Sequence, residues 1–221
     1  MKVTFFRNIK SPNEPHYVDS HEAFIRIRDG KSRYQIEEYR ATDDKKLKNS
    51  LPLVCFSGEF SRRADDALVT HSGLIVLDFD HVNIEESKAF IGADEYVYAC
   101  WVSPSGDGLK AIVKITNAER HRDHFRALKT YFFKQYNLEV DESGINESRA
   151  CYESYDPEIV INQDSKKFGA FASEKSESQV AQVEGHYTDY YRLNLAAKMI
   201  RNAADGEKHA TLLSASRLVG G

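Results

Sequence analysis

The segment Leu74-Ile75-Val76-Leu77-Asp78-Phe79-Asp80 sets four apolar side chains in a row, then two carboxylates on either side of an aromatic ring. An apolar run without polar alternation predicts a strand covered on both faces. Side chains alternate across a strand, so Asp78 and Asp80 share one face and Phe79 takes the other. Two like charges at the end of a buried strand repel and resist desolvation. A hard divalent cation relieves both penalties by taking carboxylate oxygens. A second reading stays open here: two solvated carboxylates at a strand end, capping the turn that follows.

Outward from this strand, the bulk numbers narrow the class. The chain has 221 residues, of which 41% are hydrophobic, 11% aromatic and 29% charged, a globular composition long enough for one large domain or one domain with an appendage. No apolar run reaches about 18 residues, so no membrane span is expected, and the N-terminal stretch is too polar for a secretory signal. Cys55, Cys100 and Cys151 are widely spaced, which predicts neither a disulfide framework nor a zinc knuckle and fits a reducing cytoplasm. A formal net charge of −4 and a pI near 6.1 argue against a bulk polyanion binder, while leaving room for a local basic groove.

Along the chain, residues 3–6 read as a first strand, and Ser20 as the N-cap of a short helix closed by Gly30. Residues 41–50 are charged and read as a solvated helix or loop. Leu51 to Phe56 predicts a second strand, followed by Arg62 and Arg63, adjacent cations that either meet DNA or phosphate or are simply solvated. After Asp80, Asn83 caps a helix with Glu85 and Glu86 in its first turn. Residues 96–102 and 109–115 are strands around the turn Ser103-Pro104-Ser105-Gly106-Asp107-Gly108, which makes them an antiparallel hairpin, the second strand keeping one solvated face. Phe125, Leu128, Phe132 and Tyr136 recur at helical spacing over residues 117–136. Residues 138–141 predict a short strand ending in Asp141, and 149–152 and 159–161 two more.

Composition shifts at Asn162. We expect a folded domain over residues 1–162, a polar linker over 163–185, and the start of a truncated helical domain over 186–221 that continues elsewhere. Strands mixed with helices give an α+β sheet layer. In such a layer Asp141 joins Asp78 and Asp80 as a third carboxylate, the glycine turn offers backbone N–H groups to an anion, and Lys110 and Arg149 add positive charge. Each of these also has an ordinary structural reading: a hairpin loop, a solvent-facing lysine, a paired arginine, a loop-start aspartate.

Taken together and in order, LIVLDFD, SPSGDGLK, LEVD and RACYESYDP resemble the archaeo-eukaryotic primase superfamily. The flanking LPLVCFSGEFSRR and SRACYESYDPEIVIN are similar to the VirE-like N-terminal domain family of phage and mobile-element proteins, over roughly residues 51–162. The resemblance implies a primase-polymerase fold for residues 1–162, with an N-terminal αβ unit and an RRM-like mixed sheet with helices. It implies a DNA primase/polymerase-type nucleotidyltransferase using Mg2+ or Mn2+, a nucleoside triphosphate and a single-stranded DNA template, with a helicase domain or protein as a partner. Asp78, Asp80 and Asp141 match the metal-binding and catalytic acids, with Asp156 as a substitute for Asp141. Ser105, Gly106, Gly108, Lys110 and Arg149 match the nucleotide-binding set. Lys110 stands where many primases have histidine, and a lysine supplies charge without imidazole hydrogen bonding. That departure motivates the alternative, a catalytically inactive nucleic-acid-binding or replication-accessory module. A haloacid-dehalogenase-type phosphatase would need Gly-Thr after the second aspartate, where His81-Val82-Asn83 stands.

Overall fold

A computed structural model describes residues 1–172, together with Leu212 and Ser216. The expected linker beyond residue 172 and the helical domain expected over 186–221 lie outside the described residues, save those two positions. The strands are β1 (Lys2–Phe6), β2 (His16–Asp19), β3 (Leu53–Cys55), β4 (Gly58–Phe60), β5 (Leu68–His71), β6 (Leu74–Phe79), β7 (Val97–Val102), β8 (Leu109–Lys114), β9 (Cys151–Tyr152) and β10 (Val160–Ile161). The helices are α1 (Ser20–Arg28), α2 (Arg33–Thr42), α3 (Lys45–Ser50), α4 (Ile84–Ala93) and α5 (His121–Tyr136). This is a mixed α+β architecture with antiparallel sheets. No described helix is long and apolar enough to cross a membrane.

One sheet runs β2-β1-β3-β9, another runs β10-β7-β8-β6, and β4 pairs with β5 as a separate hairpin. In the second sheet β6 is the edge strand, paired with β8. Its odd-numbered residues Ile75, Leu77 and Phe79 pack with Phe125, Leu128 and Phe132 of α5 and Ile91 of α4. Its even-numbered residues Leu74 and Val76 pack with Trp101, Ile112 and, from the first sheet and α1, Val3, Val54, Phe24 and Ile27. Both faces of β6 are therefore covered, and each such fully buried side chain contributes about 1.5–3 kcal/mol. Alternation carries the next even residue, Asp78, into the layer between the two sheets.

Helix boundaries follow local chemistry. The Asn83 side chain accepts from the Glu86 N–H and opens α4, as expected. At α1 the N-cap is Asp19, whose carboxylate accepts from the His21 N–H, and Ser20 is the first helical residue. A carboxylate also suits the positive helix end, so it takes the role expected of the hydroxyl. Two other expectations need correction. The strand β8 has no solvated face, because Leu109 to Val113 are all buried once the first sheet and α1 cover the side opposite α5. Residues 138–141 are not a ladder strand: the Asp141 N–H donates to the Asp78 carbonyl at 2.9 Å, and a 3₁₀ turn follows at 142–145.

The folded body continues past Asn162. The Phe168 N–H donates to the Lys114 carbonyl at 2.7 Å, its ring is buried, and it meets Tyr96 and Tyr131 edge-on. Residues 163–172 thus lie against β8 and α5, with Phe168 supplying an anchor in an otherwise polar stretch.

A histidine pair joins the β4–β5 hairpin to α5. His71 Nδ1 accepts from the Gly73 N–H at 2.9 Å, so its proton sits on Nε2 and donates to His121 Nδ1 at 2.9 Å. The His121 proton is then on Nε2, which is buried without a hydrogen-bond partner among the described residues. Burial lowers the pKa of His71 to about 4. For His121, burial and then the neighbouring His71, Arg122 and His124 lower it to about 3. Both groups bind fewer protons folded than unfolded, so stability is full above pH 6.5 and falls with pH toward 4. Thermal melts across that window are expected to show a loss on the order of 3 kcal/mol for each histidine, about 6 kcal/mol for the pair. His121→Leu should flatten the dependence, and an unchanged acid profile would refute the assignment.

Candidate active site

The register of β6 against β8 sets Asp78 directly across from Lys110 and Phe79 across from Leu109. Opposed residues on one face are near neighbours, and here the pair is opposite in charge. Lys110 Nζ donates to Asp78 Oδ1, and Arg149 Nη2 donates to Asp78 Oδ2 at 2.7 Å. Asp78 is 4% exposed and Lys110 9%. Burial pushes the Asp78 carboxyl up, but the two cations outweigh it and hold the pKa below the usual carboxylate range. Burial likewise disfavours the Lys110 charge, and Asp78 more than offsets this, leaving the ammonium harder to deprotonate than usual. Both groups are charged across the physiological range.

Arg149 Nη2 also reaches Asp141 Oδ2 at 3.2 Å, so one guanidinium bridges two carboxylates. The arginine is held from behind by its Nη1 donating to the Ser143 carbonyl at 3.3 Å. Asp141 in turn accepts from the Ser143 N–H at 3.0 Å and from the Ser143 hydroxyl. Burial raises its pKa, and the Ser143 hydrogen bonds and Arg149 more than reverse that. Asp80 is different. It is exposed at the end of β6 and makes no hydrogen bond or ion pair among the described residues.

The turn between β7 and β8 is shaped against the same strand end. A side chain at Gly108 would place its Cβ 2.6 Å from the Phe79 carbonyl oxygen, so only glycine lets β8 approach here. Gly106 has φ of +87° and donates its N–H to the Ser103 carbonyl at 3.1 Å. Arg40 of α2 pins the turn from outside: its guanidinium donates to the carbonyls of Ser103 at 3.0 Å, Pro104 at 3.3 Å and Tyr155 at 3.1 Å. Asp107 pairs with His81, at 3.1 Å.

These groups open on a single cavity of about 530 Å³, lined by Asp78, Asp80, Asp141, Lys110 and Arg149, by Ser103, Pro104 and Ser105, and by Lys48, Arg63 and Tyr152. Ser105 is at the wall, whereas Gly106 and Gly108 act behind it through the backbone. The two neighbouring arginines part company. Arg63 lines the cavity, and Arg62 points away into an exposed pair with Asp66 at 2.6 Å. Asp156 is also elsewhere, buried against Lys88 at 2.7 Å and the Val102 N–H at 2.8 Å. It therefore does not substitute for Asp141. Lys48, Tyr152 and the positioning residue Arg40 escaped sequence reasoning. Lys48 and Arg40 sit in charged, exposed-looking helices, and only tertiary packing sets Lys48 at the cavity and Arg40 against the outside of its turn.

Residues 46–160, more than half of the chain, match the family described as BT4734-like, N-terminal domain. The chain belongs to that family. The BT4734-like match contains every residue that lines the cavity. No curated protein and no solved structure matches the chain.

The donor set suits a hard divalent ion by its chemistry: carboxylate oxygens only, with Asp80 unengaged among the described residues. No group of three or more His, Cys, Asp or Glu among the described residues forms a ready metal cage.

Proposed function

We propose that the cavity is a nucleotidyltransferase site that extends or initiates a nucleic-acid strand on a single-stranded DNA template, as the primase-polymerase resemblance implies. The single observation that carries this reading is convergence. The DxD strand, the serine-glycine turn, Lys110, Asp141 and Arg149, distant in sequence, meet at one cavity. The element order β6-α4-β7-β8-α5, with residue 141 returning beside β6, supports the RRM-like sheet that the resemblance implies. Three free, buried cysteines are compatible with a reducing cytoplasm.

Asp78, Asp80 and Asp141 would hold Mg2+ or Mn2+, which would neutralise phosphate charge and lower the pKa of an attacking hydroxyl. The chain's own contribution is positioning and charge. Lys110 and Arg149 face the triphosphate as fixed cations and shield its negative charge from the carboxylates. The Ser105 hydroxyl donates to Asp107 and so accepts from the Ser103 hydroxyl at 2.9 Å, a relay that braces the wall. Arg40 keeps that wall in place. Such preorganised donors act in a partly buried site where they are worth more than in water.

One observation favours the non-catalytic alternative: both oxygens of Asp78 are taken by cations. Primer extension and primer synthesis on a single-stranded template separate the two. Wild type should incorporate nucleotides with Mg2+ or Mn2+. Asp80→Ala, at an exposed position, should fold normally and lose at least about 100-fold in rate. An inactive wild type with either metal, or an active Asp80→Ala, would sink the catalytic reading.

A further inference from the structure

The cavity has two chemically different ends. At one, Asp78, Asp80 and Asp141 face Lys110 and Arg149, and the charges largely cancel. At the other, Lys48 and Arg63 stand beside Tyr152, and neither makes an ion pair with a described residue. Lys48 Nζ lies 5.8 Å from the Tyr152 ring centroid and 6.0 Å from that of Tyr39. The Arg63 backbone is fixed by its N–H donating to the Pro12 carbonyl at 2.8 Å. Its Nε is buried and has no hydrogen-bond acceptor among the described residues.

A shielded guanidinium N–H without an acceptor is destabilising, and an anionic ligand relieves that cost. The neighbouring side chains do not supply that anion. Burial pushes the Cys55 thiol up to about 12 and raises the Tyr152 hydroxyl, so both stay neutral. The positive ground also leaves the cavity. Lys45 and Lys46, exposed on the same short helix as Lys48, make no ion pair among the described residues. A mononucleotide confined to the cavity would leave these lysines unused, whereas a polymer of phosphates would pass over them. Asn146 and Ser148 also line the cavity and add neutral donors of the kind that position a backbone without reading sequence.

We propose that Lys48, Arg63 and Tyr152 form a binding site for the phosphodiester backbone of a single-stranded nucleic acid, which leaves the cavity along α3. The proposal rests on the nucleotidyltransferase reading for its choice of polymer, yet its test needs no catalysis. Anisotropy of a labelled single-stranded oligonucleotide, titrated with the full chain over a range of salt, gives the affinity and its salt slope. The Lys48→Ala/Arg63→Gln variant should weaken binding at least about tenfold and reduce the log–log salt slope by about 1.4, the value for two phosphate contacts on a single strand. Calorimetry with a nucleoside triphosphate and Mg2+ should give the same affinity for variant and wild type. Lys48→Ala alone, at a partly exposed position, should fold as wild type and show an intermediate loss. Oligonucleotide binding equal to wild type in both variants would overturn the proposal. So would a parallel loss of triphosphate affinity, which would assign these cations to the nucleotide. A wild type that binds the strand through them but incorporates nothing would remove the catalytic reading and leave this one standing.

Discussion

Asp78→Ala is expected to lower folding stability by about 3–5 kcal/mol and to abolish nucleotide incorporation. The stability loss comes from what remains. Lys110 is nearly buried and has Asp78 as its carboxylate partner, so the variant holds an uncompensated ammonium between two sheets. Arg149 loses its stronger contact as well and keeps Asp141. Urea denaturation of purified protein measures the first effect, and primer extension the second. A double variant, Asp78→Leu with Lys110→Met, separates them. Replacing both members of a buried pair by apolar groups is often neutral, so the double variant should recover most of the lost stability and none of the activity. An Asp78→Ala protein as stable as wild type would mean that the pair is not buried as described. In acid the sign is the same. The Asp78 pKa is depressed when folded, so its contribution is complete above about 3.8 and is lost as pH falls below that.

Gly108→Ala should be nearly as damaging, although it adds a single methyl group. The new Cβ would sit 2.6 Å from the Phe79 carbonyl oxygen and 3.4 Å from Asp80 Cα, both backbone atoms that cannot swing aside. Relief requires β8 to move from β6 at the level of Asp78 and Lys110. The expected cost is about 1–3 kcal/mol, the usual range for overpacking. Activity should fall by about 100-fold, because displacement of reacting groups on the scale of 1 Å has that effect. Gly106→Ala is the control. There the nearest atoms belong to the Arg40 side chain at 3.4 Å, which can shift, and the positive φ adds strain of about 1–2 kcal/mol. Thermal melts and incorporation rates should therefore rank Gly108→Ala below Gly106→Ala. The reverse order would contradict the close strand approach.

Much of the central sheet was legible because its signals are local. Period and composition were enough for β6, for the β7–β8 hairpin around its serine-glycine turn, and for the apolar face of α5. The segment at 138–141 misled, since a hydrophobic run ending in aspartate looks the same whether it forms a ladder or meets its neighbour through one backbone bond. β8 misled for another reason. Its lysines imply a wet face, but Lys110 is neutralised by Asp78 across the sheet and covered by a second layer.

The site divides along the same line. Alternation along β6 by itself determined that Asp78 and Asp80 share a face, and the turn composition determined that the chain reverses before Lys110. Only the tertiary structure decided that Lys110 stands opposite Asp78, that Arg149 bridges Asp78 to Asp141, and that Arg63 turns inward while Arg62 turns out. It also brought Lys48 and Tyr152 to the cavity and Arg40 to the outside of its turn, the two cations from helices whose own sequence reads as solvent-facing. The physical reason is range. Periodicity fixes which way a side chain points from its own strand, whereas burial and charge pairing depend on what another layer lays over it.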